Sequence, residues 1–187
     1  MRFNTTSARG VEVIYETHSM TVDNERGIAT GWFAGELSER GREQARLLGE
    51  RRRDADVVYA SDLGRAVETA EIAFGDTGIP VHLDARLREC DYGELNGWPG
   101  AEIEARRSSH IDVPFPGGQS YRQVVDATRG FLGDIAARHN GQRVVLIGHS
   151  ANRWALQHLL EGVPLEELVA ARFEWQEGWV FHVAART

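Results

Sequence analysis

The chain alternates between two hydrophobic periods. Val11-Glu12-Val13-Ile14-Tyr15 and Val144-Val145-Leu146-Ile147-Gly148 are short apolar runs of the kind buried strands show. Val57–Ala60 reads as a further short strand and Pro80–Leu83 as an edge strand. Helical patterns separate them. Ser38 caps a predicted helix to about Arg53, with Ala45, Leu47 and Leu48 on its apolar side. Ser61 or Asp62 is expected to cap a helix through Phe74. Ser120, after the Pro116-Gly117-Gly118 turn, caps one to about Arg138. A helix from about Ala151 to Leu160 follows the second apolar run. Two strands, near Arg172–Trp175 and Trp179–Val183, are expected to close the chain. Strand and helix in alternation predict an α/β fold, a three-layer α/β/α sandwich with a largely parallel central sheet. Two stretches break the pattern: a long loop over 19–37, and 96–116, loop-rich with one short helix around Ala101–Arg107. Repeats and low-complexity tracts are lacking.

Composition narrows the chemistry. A length of 187 residues predicts a single domain over 1–187, with 96–116 as a short lid. A net charge of −7 argues against nucleic acid and anionic membranes as partners. No run reaches the roughly 18 apolar residues of a membrane span, and the first residues lack an apolar signal core. A cytoplasmic protein is the expectation, with homodimerisation left open. Cys90 is the lone cysteine, which excludes internal disulfides and zinc sites built from cysteines; it reads as an inert buried thiol. All 21 basic residues are Arg. Schiff-base chemistry, pyridoxal-phosphate enzymes and the Lys-dependent phosphate loop are therefore excluded. Any anion must be held by Arg, His, hydroxyls or backbone N–H groups. His82, His110, His139, His158 and His182 show no metal-ligand spacing, and neither metal nor cofactor is expected. Arg51-Arg52-Arg53 reads as a solvated helix end, and Trp175 and Trp179 as core or interface residues.

Against this background two dipeptides stand out. His18-Ser19 and His149-Ser150 each lie just past one of the two buried runs. In a parallel sheet the carboxyl ends of strands open onto the ligand crevice, so the two histidines can face one site.

The surrounding residues resemble the histidine phosphatase superfamily, the phosphoglycerate-mutase-like proteins. Its opening motif is Arg-His-Gly-x-Thr with a following Asn, then a Leu-Thr/Ser-x-x-Gly helix start. Here the matching residues are Thr17-His18-Ser19-Met20-Thr21 with Asn24, then Leu37-Ser38-Glu39-Arg40-Gly41. Ser61-Asp62-Leu63-Gly64-Arg65-Ala66 with Thr69-Ala70 is similar to the family's Ser-x-Leu-x-Arg-Ala-x-x-Thr-Ala helix. Leu87-Arg88-Glu89, Pro116-Gly117-Gly118-Gln119-Ser120 and Gly148-His149-Ser150 match three further motifs, in order.

The resemblance implies a phosphomonoesterase acting on a small phosphorylated metabolite through a phosphohistidine. It implies His18 as nucleophile, Glu89 as general acid and then base, and Arg65 and His149 as donors to the transferring oxygens. Thr17, Ser19, Asn24, Thr30 and Ser150 are the implied remaining contributors to the phosphate pocket. The short 96–116 segment and the Leu-Arg-Glu-x-Asp-x-Gly form favour the phosphatase branch over phosphoglycerate-mutase-type transfer.

The chain also departs from the pattern beside the implied pocket. Thr17 replaces the motif's Arg, Ser19 and Ser150 replace glycines, and Gln119 replaces a Glu. Thr offers one donor and no charge. Two expectations follow. Either another arginine enters the pocket, with Arg26, Arg88 and Arg153 the candidates by proximity to motifs, or the protein is a pseudo-phosphatase that binds an anionic ligand without turnover.

Overall fold

The computed structural model describes residues 10–185. In chain order the elements are β1 (Val11–Thr17), α1 (Val22–Glu25), β2 (Ile28–Ala29), α2 (Glu39–Arg51), β3 (Val57–Ala60), α3 (Gly64–Phe74) and β4 (Val81–Leu83). They continue with β5 (Trp98–Pro99), α4 (Gly100–Arg106), α5 (Tyr121–Arg138), β6 (Arg143–Gly148), α6 (Ser150–Leu156), α7 (Leu165–Ala170) and β7 (Trp179–Val183).

The main sheet has the order β4-β3-β6-β1-β7. Its first four strands are parallel, and β7 runs antiparallel to β1. The period of two along each strand fills both faces. Val13, Tyr15, Val144 and Leu146 pack with Phe131, Leu132 and Ile135 of α5. Ile14, Val58, Val145 and Ile147 pack with Leu48 of α2 and Ala66, Ala70 and Phe74 of α3. The sheet is thus covered by helices on both sides, as the three-layer expectation has it. Each large apolar side chain so buried contributes about 1.5–3 kcal/mol. A third cluster joins Ile103 of α4, Val125 of α5, Trp154 of α6 and Val169 of α7.

Ser38 and Ser120 cap α2 and α5 as expected, accepting from the N–H groups of Gly41 and Gln123. Elsewhere the structure corrects the local reading. Leu63, not Ser61 or Asp62, precedes α3, and it makes no side-chain cap; the Ser61 hydroxyl instead accepts from the Leu63 N–H. The helix expected over 151–160 is α6 followed by one wider turn, Gln157–Glu161. Residues 172–175 form no strand; Phe173 and Trp175 face one cleft and Arg172 and Glu174 another, and the sheet ends at β7. The 19–37 loop carries α1 and β2, and β2 pairs with β5. Arg51 and Arg52 are not simply solvated: Arg52 Nε donates to Glu16 at 2.7 Å, and Arg51 lies 3.9 Å from the same buried carboxylate. No helix among the described residues is long and apolar enough to cross a membrane.

Candidate active site

The register of β1 against β6 pairs Thr17 with Gly148, so the next residue on each strand is a histidine. The His18 N–H donates to Gly148 O at 2.9 Å and fixes that relation. The two imidazole rings lie 5.0 Å apart, centre to centre, at the carboxyl end of the sheet.

Each ring has an assigned tautomer. His18 Nδ1–H donates to Ser19 O at 2.8 Å, which leaves Nε2 unprotonated. Arg65 Nε–H approaches that Nε2 at 3.3 Å. Withdrawal from water and the Arg65 charge lower the His18 pKa to about 3, so the ring is neutral in ordinary conditions. His149 Nδ1 accepts from Arg65 Nη2 at 3.1 Å, which puts its proton on Nε2. That Nε2–H is buried and has no partner among the described residues. Burial, Arg65 and the neighbouring His18 hold the His149 pKa well below the usual histidine value.

Arg65 is buried, and its guanidinium is locked by Phe33 O and Gly31 O, both at 2.9 Å. Among the described residues no carboxylate forms an ion pair with it. The loop that carries those carbonyls is itself tied down: Glu68 accepts from the Leu37 N–H and from Arg42 Nε, each at 2.9 Å. Two further residues, unmarked in the sequence reading, orient His149. Tyr15 Oη donates to its carbonyl, and the buried Asn152 accepts from its N–H at 2.9 Å while donating to Arg88 O at 3.0 Å.

Glu89 lies behind the site, at the amino end of α6. Its carboxylate accepts from the Cys90 N–H at 2.8 Å, and the Ser150 and Ala151 N–H groups face it and favour its charged form. Burial outweighs those bonds and the Arg65 charge, and raises the pKa above the ordinary carboxylate value. Its segment is held by the Pro116–Ser120 turn: Gln119 N–H donates to Asp91 O at 2.8 Å, and Gln119 Oε1 accepts from the Asp91 N–H at 3.2 Å. Cys90 is buried, with its thiol pushed up by burial and by Glu89.

A cavity of about 530 Å³ opens in front of His18. It is lined by Thr17, His18, Asn24 and Ser150, together with Met20, Arg40, Gln44, Phe173 and Trp175. Ser19 and Thr30 are elsewhere. Both are buried; the Ser19 N–H donates to Thr69 Oγ1, and Thr30 Oγ1 donates to Asp23. Asn24 also spends its side-chain oxygen on the Thr21 N–H, which caps α1. None of the lining residues comes from 96–116; the outer wall is Phe173 and Trp175 from 171–178. Trp175, 55% exposed, is therefore a cavity residue and not part of the core.

The three arginines expected to compensate for Thr17 do not line this cavity. Arg26 is exposed. Arg88 makes a two-pronged pair with Asp62, both bonds 2.6 Å, and stacks on Trp32. Arg153 is buried between Phe173 and Trp179 and lines a separate cleft. Arg40 lines it instead. One signal for it was available: a cation in the first turn of a helix runs against the helix dipole.

Residues 17–180 match the model of the histidine phosphatase superfamily, branch 1. The chain belongs to that superfamily. It is 31% identical to phosphoserine phosphatase 1 of Hydrogenobacter thermophilus over 167 residues, covering 84% of this chain and 79% of the relative. Among solved structures it is similar to YhfR of Bacillus stearothermophilus, with TM-score 0.80, 27% identity, and 94% and 96% of the two chains covered. It is also similar to a mycobacterial glucosyl-3-phosphoglycerate phosphatase solved with VO3, with TM-score 0.74, 29% identity and 87% of each chain covered.

Proposed function

We propose that this histidine phosphatase hydrolyses phosphate monoesters of small metabolites through a phosphohistidine on His18. One observation carries the reading. His18 presents an unprotonated Nε2 beside the Arg65 guanidinium and close to the unpartnered, buried Nε2–H of His149. A buried donor left without a partner is costly. A phosphoryl oxygen at His18 Nε2 would satisfy it.

In the first step the Nε2 lone pair of His18 attacks phosphorus, and the bond from phosphorus to the ester oxygen breaks. Arg65 and His149 stabilise the charge on the transferring oxygens. The leaving alkoxide takes its proton from Glu89, whose burial favours the protonated form and which lies behind Ser150 on the cavity wall. In the second step water attacks phosphorus, the P–N bond breaks, and Glu89 recovers a proton. Thr17, Asn24 and Ser150 line the approach to His18 and would contribute hydrogen bonds to the phosphate. No metal or cofactor takes part. Phosphoryl exchange, the mutase chemistry, requires water to be kept out. The absence of 96–116 from the cavity lining favours hydrolysis.

Thr17 on the cavity wall supports a second reading, capture of an anionic ligand without turnover. Hydrolysis of p-nitrophenyl phosphate in the presence of chelator separates the two. Turnover by the parent that falls by about four orders of magnitude or more in His18→Ala supports the phosphatase. Equal background in both proteins favours the binding module.

A further inference from the structure

Resting on the reading of the cavity as a phosphate site, we propose that Arg40 is the residue that captures the substrate phosphate, supplying the positive charge that Thr17 does not. Among the described residues Arg40 is the only charged side chain lining the cavity, His18 being neutral, and no carboxylate lines it. Among those residues Arg40 also has no ion-pair partner, whereas its neighbours Glu39 and Arg42 pair with each other and Arg42 with Glu68.

The backbone holds Arg40 at a fixed place relative to His18. Ser38 N–H donates to Met20 O at 3.0 Å, and Met20 N–H donates to Gln44 Oε1 at 3.0 Å. Gly41 packs directly on the Met20 backbone, where any side chain would collide. The first turn of α2 is thus clamped to a residue two positions past His18. With its oxygen taken by Met20, Gln44 has its NH₂ group as the donor for the cavity. Thr17 and Arg40 line the same cavity from different elements, so an anion between them can draw its charge compensation from α2 in place of β1. A planar guanidinium can take two oxygens of one phosphate.

The test is binding of inorganic phosphate, by titration calorimetry, to the parent and to folded Arg40→Ala and Arg40→Lys, with circular dichroism as the check on folding. Loss of one charged contact predicts an affinity about 10- to 100-fold weaker in Arg40→Ala. Arg40→Lys keeps the charge and is expected within about tenfold of the parent. Affinity in Arg40→Ala within twofold of the parent overturns the proposal. So does an equal loss in both variants, which marks a packing role. Adding Thr17→Arg to Arg40→Ala is expected to restore binding; a double variant no tighter than Arg40→Ala overturns the claim that the two positions serve one anion. Because this readout needs no turnover, it stands apart from the phosphatase assay. A parent that binds phosphate without hydrolysing p-nitrophenyl phosphate sinks the phosphatase reading and leaves Arg40 to be judged on affinity alone.

Discussion

The two ends of the sheet each carry a cleft, and the larger one is at the wrong end for phosphate. At the amino ends of the parallel strands a cleft of about 640 Å³ is lined by Glu12, Asp54, Asp56 and Arg143 among others. Three carboxylates there surround one cation, and Arg143 already pairs with Glu12 and Asp54. At the carboxyl ends the smaller cavity has Arg40 on its wall, Arg65 behind it and, among the described residues, no lining carboxylate. A phosphate dianion is repelled by the first and drawn to the second. Cleft size therefore does not locate the site; uncompensated positive charge and orphaned donors do.

Four perturbations would break or sharpen this contrast. The largest effect after loss of His18 is expected at Glu89. Glu89→Gln should lower kcat by about 10²- to 10⁴-fold, the usual worth of a general acid. In the parent, turnover should fall as pH rises through the raised pKa of Glu89, since the acid must be protonated to donate; the variant should lose that limb. A pH–rate profile of both proteins decides it. Arg65→Ala removes a preorganised donor and should cost about 10²- to 10³-fold in kcat. It should also raise the His18 pKa, because the Arg65 charge now lowers it, and histidine NMR titration reads that shift.

The third perturbation is acid. His18 has a folded pKa of about 3 against 6.5 when unfolded, so between those values the unfolded chain binds the extra proton. Its contribution to stability is present above pH 6.5 and is lost as pH falls toward 3. From pH 7 to 5 that loss is about 2 kcal/mol for His18 alone. His149 works in the same direction. Glu89, raised from 4.5, works oppositely, its contribution being lost as pH rises above 4.5. Denaturant unfolding at both pH values should show a shallower dependence in His18→Ala, and an unchanged slope would discredit the neutral, buried ring. The smallest effect belongs to the amino end. Arg143→Ala breaks partly exposed ion pairs worth at most about 1 kcal/mol and should leave kcat/KM within twofold. A larger drop would mean that the two ends are coupled.

Much of the molecule was legible in one dimension. The strands over Val11–Thr17, Val57–Ala60 and Arg143–Gly148, with the Ser38 and Ser120 caps, follow from apolar runs and side-chain hydrogen bonds between near neighbours. Such signals are local, so a sequence carries them in full. The errors arose where distant partners decide. Residues 172–175 have strand-like composition, yet their side chains are divided between two clefts. Arg51 and Arg52 look solvated until Glu16 is seen beneath them.

The candidate site divides in the same way. The identity of its chemical groups, His18, His149, Arg65 and Glu89, was set by the sequence, because motif order and strand ends suffice to single them out. Which nitrogen of each imidazole carries a proton depended on Ser19 O and on a guanidinium reaching across from α3. Which arginine faces the cavity depended on the clamp between α2 and Met20, and which segment walls it depended on where 171–178 comes to rest. Proton positions and cavity walls are set by contacts between residues far apart in the chain, and only the packed structure brings those residues together.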